Sequence, residues 1–437
     1  MSISIPSPLS ARLLTAIISC VTATLPLSGA APAPPLPVSA LVEAALIQHP
    51  ELQFYAAEIA AAKAGHRSAG KLAPPELTST VGQNRVRNAA GNLAGEGVAW
   101  SVGLQQQFEW PGRIGLRKAI ANGNVTLAEL GLARFKSALM GRVRTLAYAL
   151  GAAQEQAEAS RDVAERLRDL REILVQRDPA GLTPLLETRI IEATELIAQR
   201  TASDAELAVA HALIELNQLR GLAPDAPLTV ATAPPIFRGA PTLDSLLAAA
   251  RTNNFDLRLR AAELEQQGFR VELARNERYP SFTVGPTFTE ENAGDRQRIV
   301  GLAISVPLPL WNNQAASVDL AKARQTQADA SLRAAQRDLD RQIATAARTY
   351  ENKVQTLSHW RGDAIAHFHD AAETADRNYR LGAVPVATYV ELQRQYVDAV
   401  SALLAIRREA LEAAAHLETL SGLPQPLIGW EPIPRQP

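Results

Sequence analysis

Two stretches of the chain, residues 110–222 and 311–423, run in step at a constant offset of 201 residues. Trp110 answers Trp311, the Gly181/Pro184 pair answers Gly382/Pro385, and Leu219-Arg220-Gly221-Leu222 answers Leu420-Ser421-Gly422-Leu423. A spacing held over more than a hundred residues, and kept at residues that start and stop helices, implies an internal duplication. Each element found in one copy therefore needs a counterpart in the other. Neither half's pattern contains a closed core of its own, so the copies are expected to intertwine.

Before the first copy stand Arg12, an apolar run from Leu13 to Leu27, and Ser28-Gly29-Ala30. This is the layout of a secretory signal peptide over residues 1–30, too short for a comfortable membrane-spanning helix. Cys20 is the only cysteine, so no internal disulfide forms. Ile17-Ile18-Ser19-Cys20 is a weak lipobox match that leaves a lipoprotein as the alternative, with Arg12 closer than such signals usually allow. Lys plus Arg number 44 against 45 Asp plus Glu, which excludes the basic footprint of a nucleic-acid binder.

Period-two alternation marks four strands. In residues 299–310, Val300, Leu302, Ile304, Val306, Leu308 and Leu310 share one face, opposite mostly small residues such as Gly301, Ala303 and Ser305. In the first copy Val98, Trp100, Val102, Leu104, Phe108 and Trp110 oppose Ser101, Gly103, Gln105, Gln107 and Glu109. Ser281 to Thr289 and Glu76 to Gln83 supply the upstream partners, joined through the polar segments 84–96 and 290–298, read as moderately long loops. About ten alternating residues is what a tilted strand needs to cross an outer membrane. Four strands cannot close, and an open edge in lipid costs several kcal/mol per unpaired backbone group, so other copies must complete any barrel.

After Trp110 and Trp311 the pattern turns helical. Residues 113–176 and 313–380 contain no proline and are rich in Ala, Leu, Arg, Glu and Gln. At 1.5 Å per residue each would be about 100 Å long, too long for a compact globule. They turn back near Gly181 and Gly382 into return helices opened by Pro184 and Pro385, where a missing N–H costs little. Shorter helices over 51–71 and 256–278 precede the hairpins, with opening helices near 39–48 and 243–253. The expected organisation is a signal peptide (1–30), a first repeat (31–222), a Pro-rich linker (223–241), a second repeat (242–423) and a tail (424–437).

Phe108-Glu109-Trp110-Pro111-Gly112-Arg113, Val306-Pro307-Leu308-Pro309-Leu310-Trp311-Asn312-Asn313-Gln314 and Tyr379-Arg380-Leu381-Gly382, in this order within two repeats, resemble the TolC family of outer-membrane efflux proteins. The first two strings resemble its CzcC-like branch, which serves heavy-metal cation exporters. The resemblance implies a mainly α fold with membrane β: a TolC-like trimeric α/β-barrel in which each protomer gives four transmembrane strands and long periplasmic helices. It further implies passive conduction across the outer membrane, with a periplasmic adaptor and an inner-membrane pump of the RND type as partners. No cofactor, nucleic acid or catalysis is implied.

Trp110 and Trp311, with Phe108, lie where strand becomes helix, which suits membrane-interface anchors; packing inside the junction is the alternative. The family's tips dock an adaptor, which nominates Arg177, Gly181, Leu182, Arg380, Leu381 and Gly382, against plain turn chemistry for the glycines. The family's constriction carboxylates fall six and nine residues past the tip glycine, here Thr388 and Glu391, while Glu187 lies six past Gly181. A ring of Glu391 would favour cations, although one expected acid is absent and the family's basic gating partner is here Val384. His367 and His369, two apart on a helix, point in different directions and make poor co-ligands, so no metal site is expected. Glu290-Glu291 is read as part of an external loop without a catalytic role. The competing readings are a periplasmic adaptor, which would have one helical hairpin and many short strands, or a coiled-coil structural protein, which would need no lipid-facing alternation.

Overall fold

The computed structural model describes residues 36–177, 185–230, 235–308, 314–360, 363–423 and 425–430. The first repeat runs α1 (Val38–Gln48), α2 (Glu51–Ala69), β1 (Glu76–Arg87), β2 (Leu93–Phe108), α3 (Arg113–Arg177) and α4 (Leu185–Leu219). A short β3 (Pro235–Phe237) follows. The second repeat runs α5 (Leu243–Asn253), α6 (Phe255–Asn276), β4 (Phe282–Asn292), β5 (Arg296–Ser305), α7 (Ala315–Ser358), α8 (Ala364–Arg380) and α9 (Val386–Ser421), and β6 (Ile428–Trp430) closes the described chain.

The hairpins from the two repeats join into one antiparallel sheet of order β1-β2-β4-β5. Both hairpin loops are shorter than their polar sequences suggest, because the charged residues continue the ladder instead of leaving it. Arg85 pairs directly opposite Glu96, and Glu290 opposite Arg298. Opposite charges facing across a strand pair stabilise it, so Glu290-Glu291 belongs to β4 and not to a loop. β5 in turn stops at Ser305, before Pro307, which has no N–H to give to a ladder.

The 65-residue α3 is unbroken. Its counterpart is not the single helix expected: α7 ends at Ser358 and α8 begins at Ala364. The last N–H groups tighten there, His359 donating to the Thr356 carbonyl and Trp360 to that of Leu357.

α2 and α4 both pack along α3, while α6 packs against α3 and α7, and α9 against α3, α7 and α8. The return helices end alike. Gly221 (φ +68°) and Gly422 (φ +60°) take the left-handed conformation that ends a helix, 201 residues apart. Gly221 abuts the Gln48 carbonyl and Gly422 abuts Asn253, where the short helices of each repeat meet. Asn254 fixes the second junction, capping α6 through Leu257 N–H (3.1 Å) and donating to the Leu420 carbonyl (2.9 Å). Each short helix thus stacks end to end on a return helix.

Among the described residues, three apolar clusters hold the helices. One unites Leu41, Val143, Leu150 and Leu216 of the first repeat, another Leu246, Ile343, Tyr350 and Leu417, mainly of the second. The third, toward the helical tips, mixes Leu167 and Ile191 with Ala372, Tyr389 and Val400, so the repeats share a core there. The join between repeats is not a free linker. Leu228 and Val230 are buried in the first cluster, and β3 pairs with β6 from the tail.

Candidate functional site

The greasy residues of the four strands share one face of the sheet. Leu77, Val81, Val98, Leu104, Val300, Leu302 and Ile304 are all exposed, Val300 by 80% and Val81 by 76%. Aromatics bracket this band. At one end Trp100 meets Phe288 (5.3 Å between centroids); at the other Phe108 stacks on Phe282 (5.7 Å) and Trp110 on Tyr279 (4.8 Å). The eight-residue step from Trp100 to Phe108 covers about 27 Å along a strand, or about 20 Å of height once tilted by 40°. An apolar band of that height between two aromatic girdles is the outer wall of a membrane barrel. The opposite face is small and polar, with Thr78, Thr80, Ser101, Gln107, Thr287 and Thr289.

Below the lower girdle the repeats are tied together. Arg113, opening α3, donates to Asn276 Oδ1 (3.0 Å) and to the carbonyls of Asn276 (3.1 Å) and Tyr279 (2.7 Å) at the end of α6. Asn276 answers with a bond to the Pro111 carbonyl (3.0 Å), and Gly112 makes the turn at φ +88°. Trp110 packs against Tyr279 within the junction and stays 40% exposed. Trp311 lies outside the described residues.

At the far end, α8 terminates in a Schellman turn: Gly382 (φ +72°) donates to the Tyr379 carbonyl and Ala383 to that of Asn378. Leu381 projects from it, 76% exposed. Behind the turn, Tyr379 stacks on the fully buried Tyr389 at 4.9 Å. Asp376 accepts from the Tyr389 hydroxyl (3.2 Å) and from Arg380 (2.7 Å), and Gln393 donates to the Ala372 carbonyl (2.9 Å). Burial pushes the Tyr389 phenol up, so it stays a donor. In the first tip Gly181 and Leu182 lie outside the described residues; Arg177 closes α3.

Of the constriction candidates, Glu187 is half-buried on α4, and its charge adds to burial in pushing the Tyr379 phenol up. Thr388 and Glu391 are exposed on α9. Glu391 pairs with Arg394 one turn on (2.9 Å), which holds the carboxyl below its usual range. His367 bonds Asp363 on its own helix (3.0 Å), whereas His369 faces α3. His369, Asp370 and Glu373 are grouped closely enough to suggest metal ligands. The Arg166 guanidinium already lies 3.3 Å from His369 Nε2 and 3.9 Å from Glu373, filling the cation position.

A family model described as outer membrane efflux protein matches the chain over residues 41–222 and 246–423. The chain belongs to the outer membrane efflux protein family. It is 25% identical to the pyoverdine export outer membrane protein OpmQ of Pseudomonas aeruginosa, covering 90% of this chain and 85% of that protein. Its fold resembles the CmeC outer membrane channel of Campylobacter jejuni (TM-score 0.71, 15% identity, 88% of this chain and 85% of that one). It also resembles the open state of the MtrE outer membrane channel of Neisseria gonorrhoeae (TM-score 0.65, 17% identity, 88% of each chain). This efflux protein is accordingly an outer-membrane channel component with a periplasmic helical extension, and not an enzyme.

Several residues that shape the wall escaped sequence reading. Tyr279 completes the lower girdle beside Phe282 of the expected strand, and its signal was available as an aromatic just before a strand start. Arg113 and Asn276 carried no such signal, because their bond spans 163 residues.

Proposed function

We propose that three copies of this efflux protein close a twelve-stranded barrel and form the passive exit of a tripartite export system. The observation that supports this most is the four-stranded sheet with both edges, β1 and β5, unpaired and one face carrying an apolar band between aromatic residues. An adaptor in the periplasm would engage the tips at Arg380, Leu381 and Gly382, and at Arg177, Gly181 and Leu182. An inner-membrane pump would supply energy. Outer-membrane detergent extracts are expected to yield a heat-resistant trimer; a mature chain soluble in the periplasm would sink the proposal. The mature chain is taken to start after residue 30, which N-terminal sequencing of the trimer would check.

For cargo, the resemblance to the heavy-metal branch favours cations, while OpmQ exports pyoverdine. We assign selection between them to the pump, since the small polar strand face offers no ligand set. Glu187, Thr388 and Glu391 are the residues proposed to line the constriction. Glu391 is balanced by Arg394, so Arg394→Gln should raise cation over anion permeability in planar bilayers and Glu391→Gln should lower it. Exposed charges about 4 Å apart interact by about 1 kcal/mol in water, which limits either change to about fivefold. Identical selectivity in both variants would remove the constriction from this part of α9.

A further inference from the structure

All four arginines of the membrane strands, Arg85, Arg87, Arg296 and Arg298, lie at one end of the sheet, beyond the Trp100–Phe288 girdle and away from the helices. Strand alternation puts Arg85, Arg296 and Arg298 on the same side as Val81, Val300 and Leu302, the lipid-facing side. The strands carry no lysine or arginine on the polar face. Arg85, Arg296 and Arg298 remain more than half exposed, although Arg85 pairs with Glu96 (2.9 Å), and Arg296 and Arg298 share the nearly buried Glu290. Arg87 bonds the Gly91 carbonyl instead of an acid. On the lipid-facing side of the strands four guanidinium groups thus stand against the two carboxylates of Glu96 and Glu290, while Glu291 lies on the opposite face, bonded to Asn84, and Asp295 lies in the β4–β5 turn.

The arginines also divide between the two edge strands, β1 and β5. Closing a barrel from several copies brings β5 of one protomer beside β1 of the next, which gathers all four at a single seam. We propose that each seam is a binding site for the phosphates of an anionic glycolipid headgroup in the outer leaflet. This rests on the trimeric reading above. Guanidinium groups recognise phosphate through paired N–H bonds, and the surplus of guanidinium groups on the lipid-facing side calls for an anion there. A tethered lipid fits better than a free anion, because Val81 and Val300 continue the same face downward as exposed apolar wall for acyl chains.

The test is native mass spectrometry of the trimer in neutral detergent, titrated separately with bisphosphorylated lipid A, phosphatidylcholine and inorganic phosphate. Lipid A should bind once per seam, about tenfold or more tighter than phosphatidylcholine. The double variant Arg85→Gln/Arg296→Gln keeps Arg298 for Glu290, and should weaken lipid A by about tenfold while the trimer mass persists. Equal binding of the two lipids, an unchanged double variant, or displacement of lipid A by an equal concentration of phosphate would each overturn the site. Monomer masses before any lipid is added would instead overturn the trimer, so the two failures are distinguishable.

Discussion

Leu302→Arg is expected to abolish the trimer in outer-membrane extracts while leaving the helices folded. Leu302 sits opposite Pro286, midway along the apolar band, and is 65% exposed in the isolated chain. In water such a change would be neutral or would improve solubility. At the midplane of a bilayer an arginine on the lipid face costs about 2–4 kcal/mol, and three copies per barrel bring the total to about 6–12 kcal/mol. That is comparable with the whole stability of an ordinary domain. Gly301→Ser, on the adjacent polar face, should insert normally, since its neighbours are Thr287 and other small polar groups. The measurement is the heat-resistant trimer band and the protein's partition between membrane and periplasm. A Leu302→Arg trimer as abundant as the parent would mean that this face does not meet lipid.

The helices and strands were legible because their signals are local: an apolar residue every three or four positions, or every second one, needs no knowledge of the partner. Even the lipid-facing side could be read from alternation alone. Charge misled the reading at the hairpin ends. Glu290, Arg296 and Arg298 resemble loop residues singly, yet each finds an opposite charge across the ladder, and that pairing exists only once the register is set. The α7–α8 interruption was hidden because no proline marks it. Asp363, just before α8, is a weak helix former of the kind that starts helices, and single propensities are small against packing. The tip was half legible. Gly382 and Pro385 declared the turn, but the roles of Asp376 and Gln393 depend on contacts that cross the hairpin, over 13 and 21 residues.

Those contacts make Tyr389 the residue on which the second tip depends most, and Tyr389→Ala should loosen it sharply. The side chain, from the first turn of α9, is fully buried against Tyr379, and truncating a large buried aromatic costs about 3–5 kcal/mol. Asp376 would keep Arg380 but lose the phenolic donor. The loss should stay at the tip end, because Tyr389 belongs to the tip cluster with Leu167 and Val400, and the other two clusters lie farther along the helices. Hydrogen exchange over residues 372–393 should therefore rise strongly, with the strands unchanged and the trimer intact. Tyr389→Phe, which keeps the stacking and loses one bond to a charged acceptor, should cost about 1.5–3 kcal/mol and accelerate exchange less. Leu381→Asp supplies the contrast: an exposed residue whose change should leave exchange at parental levels and, on the docking proposal, still reduce adaptor cross-linking and export. If Tyr389→Ala alone impairs export while Leu381→Asp does not, the tip matters for the integrity of the helices and the adaptor reads another surface.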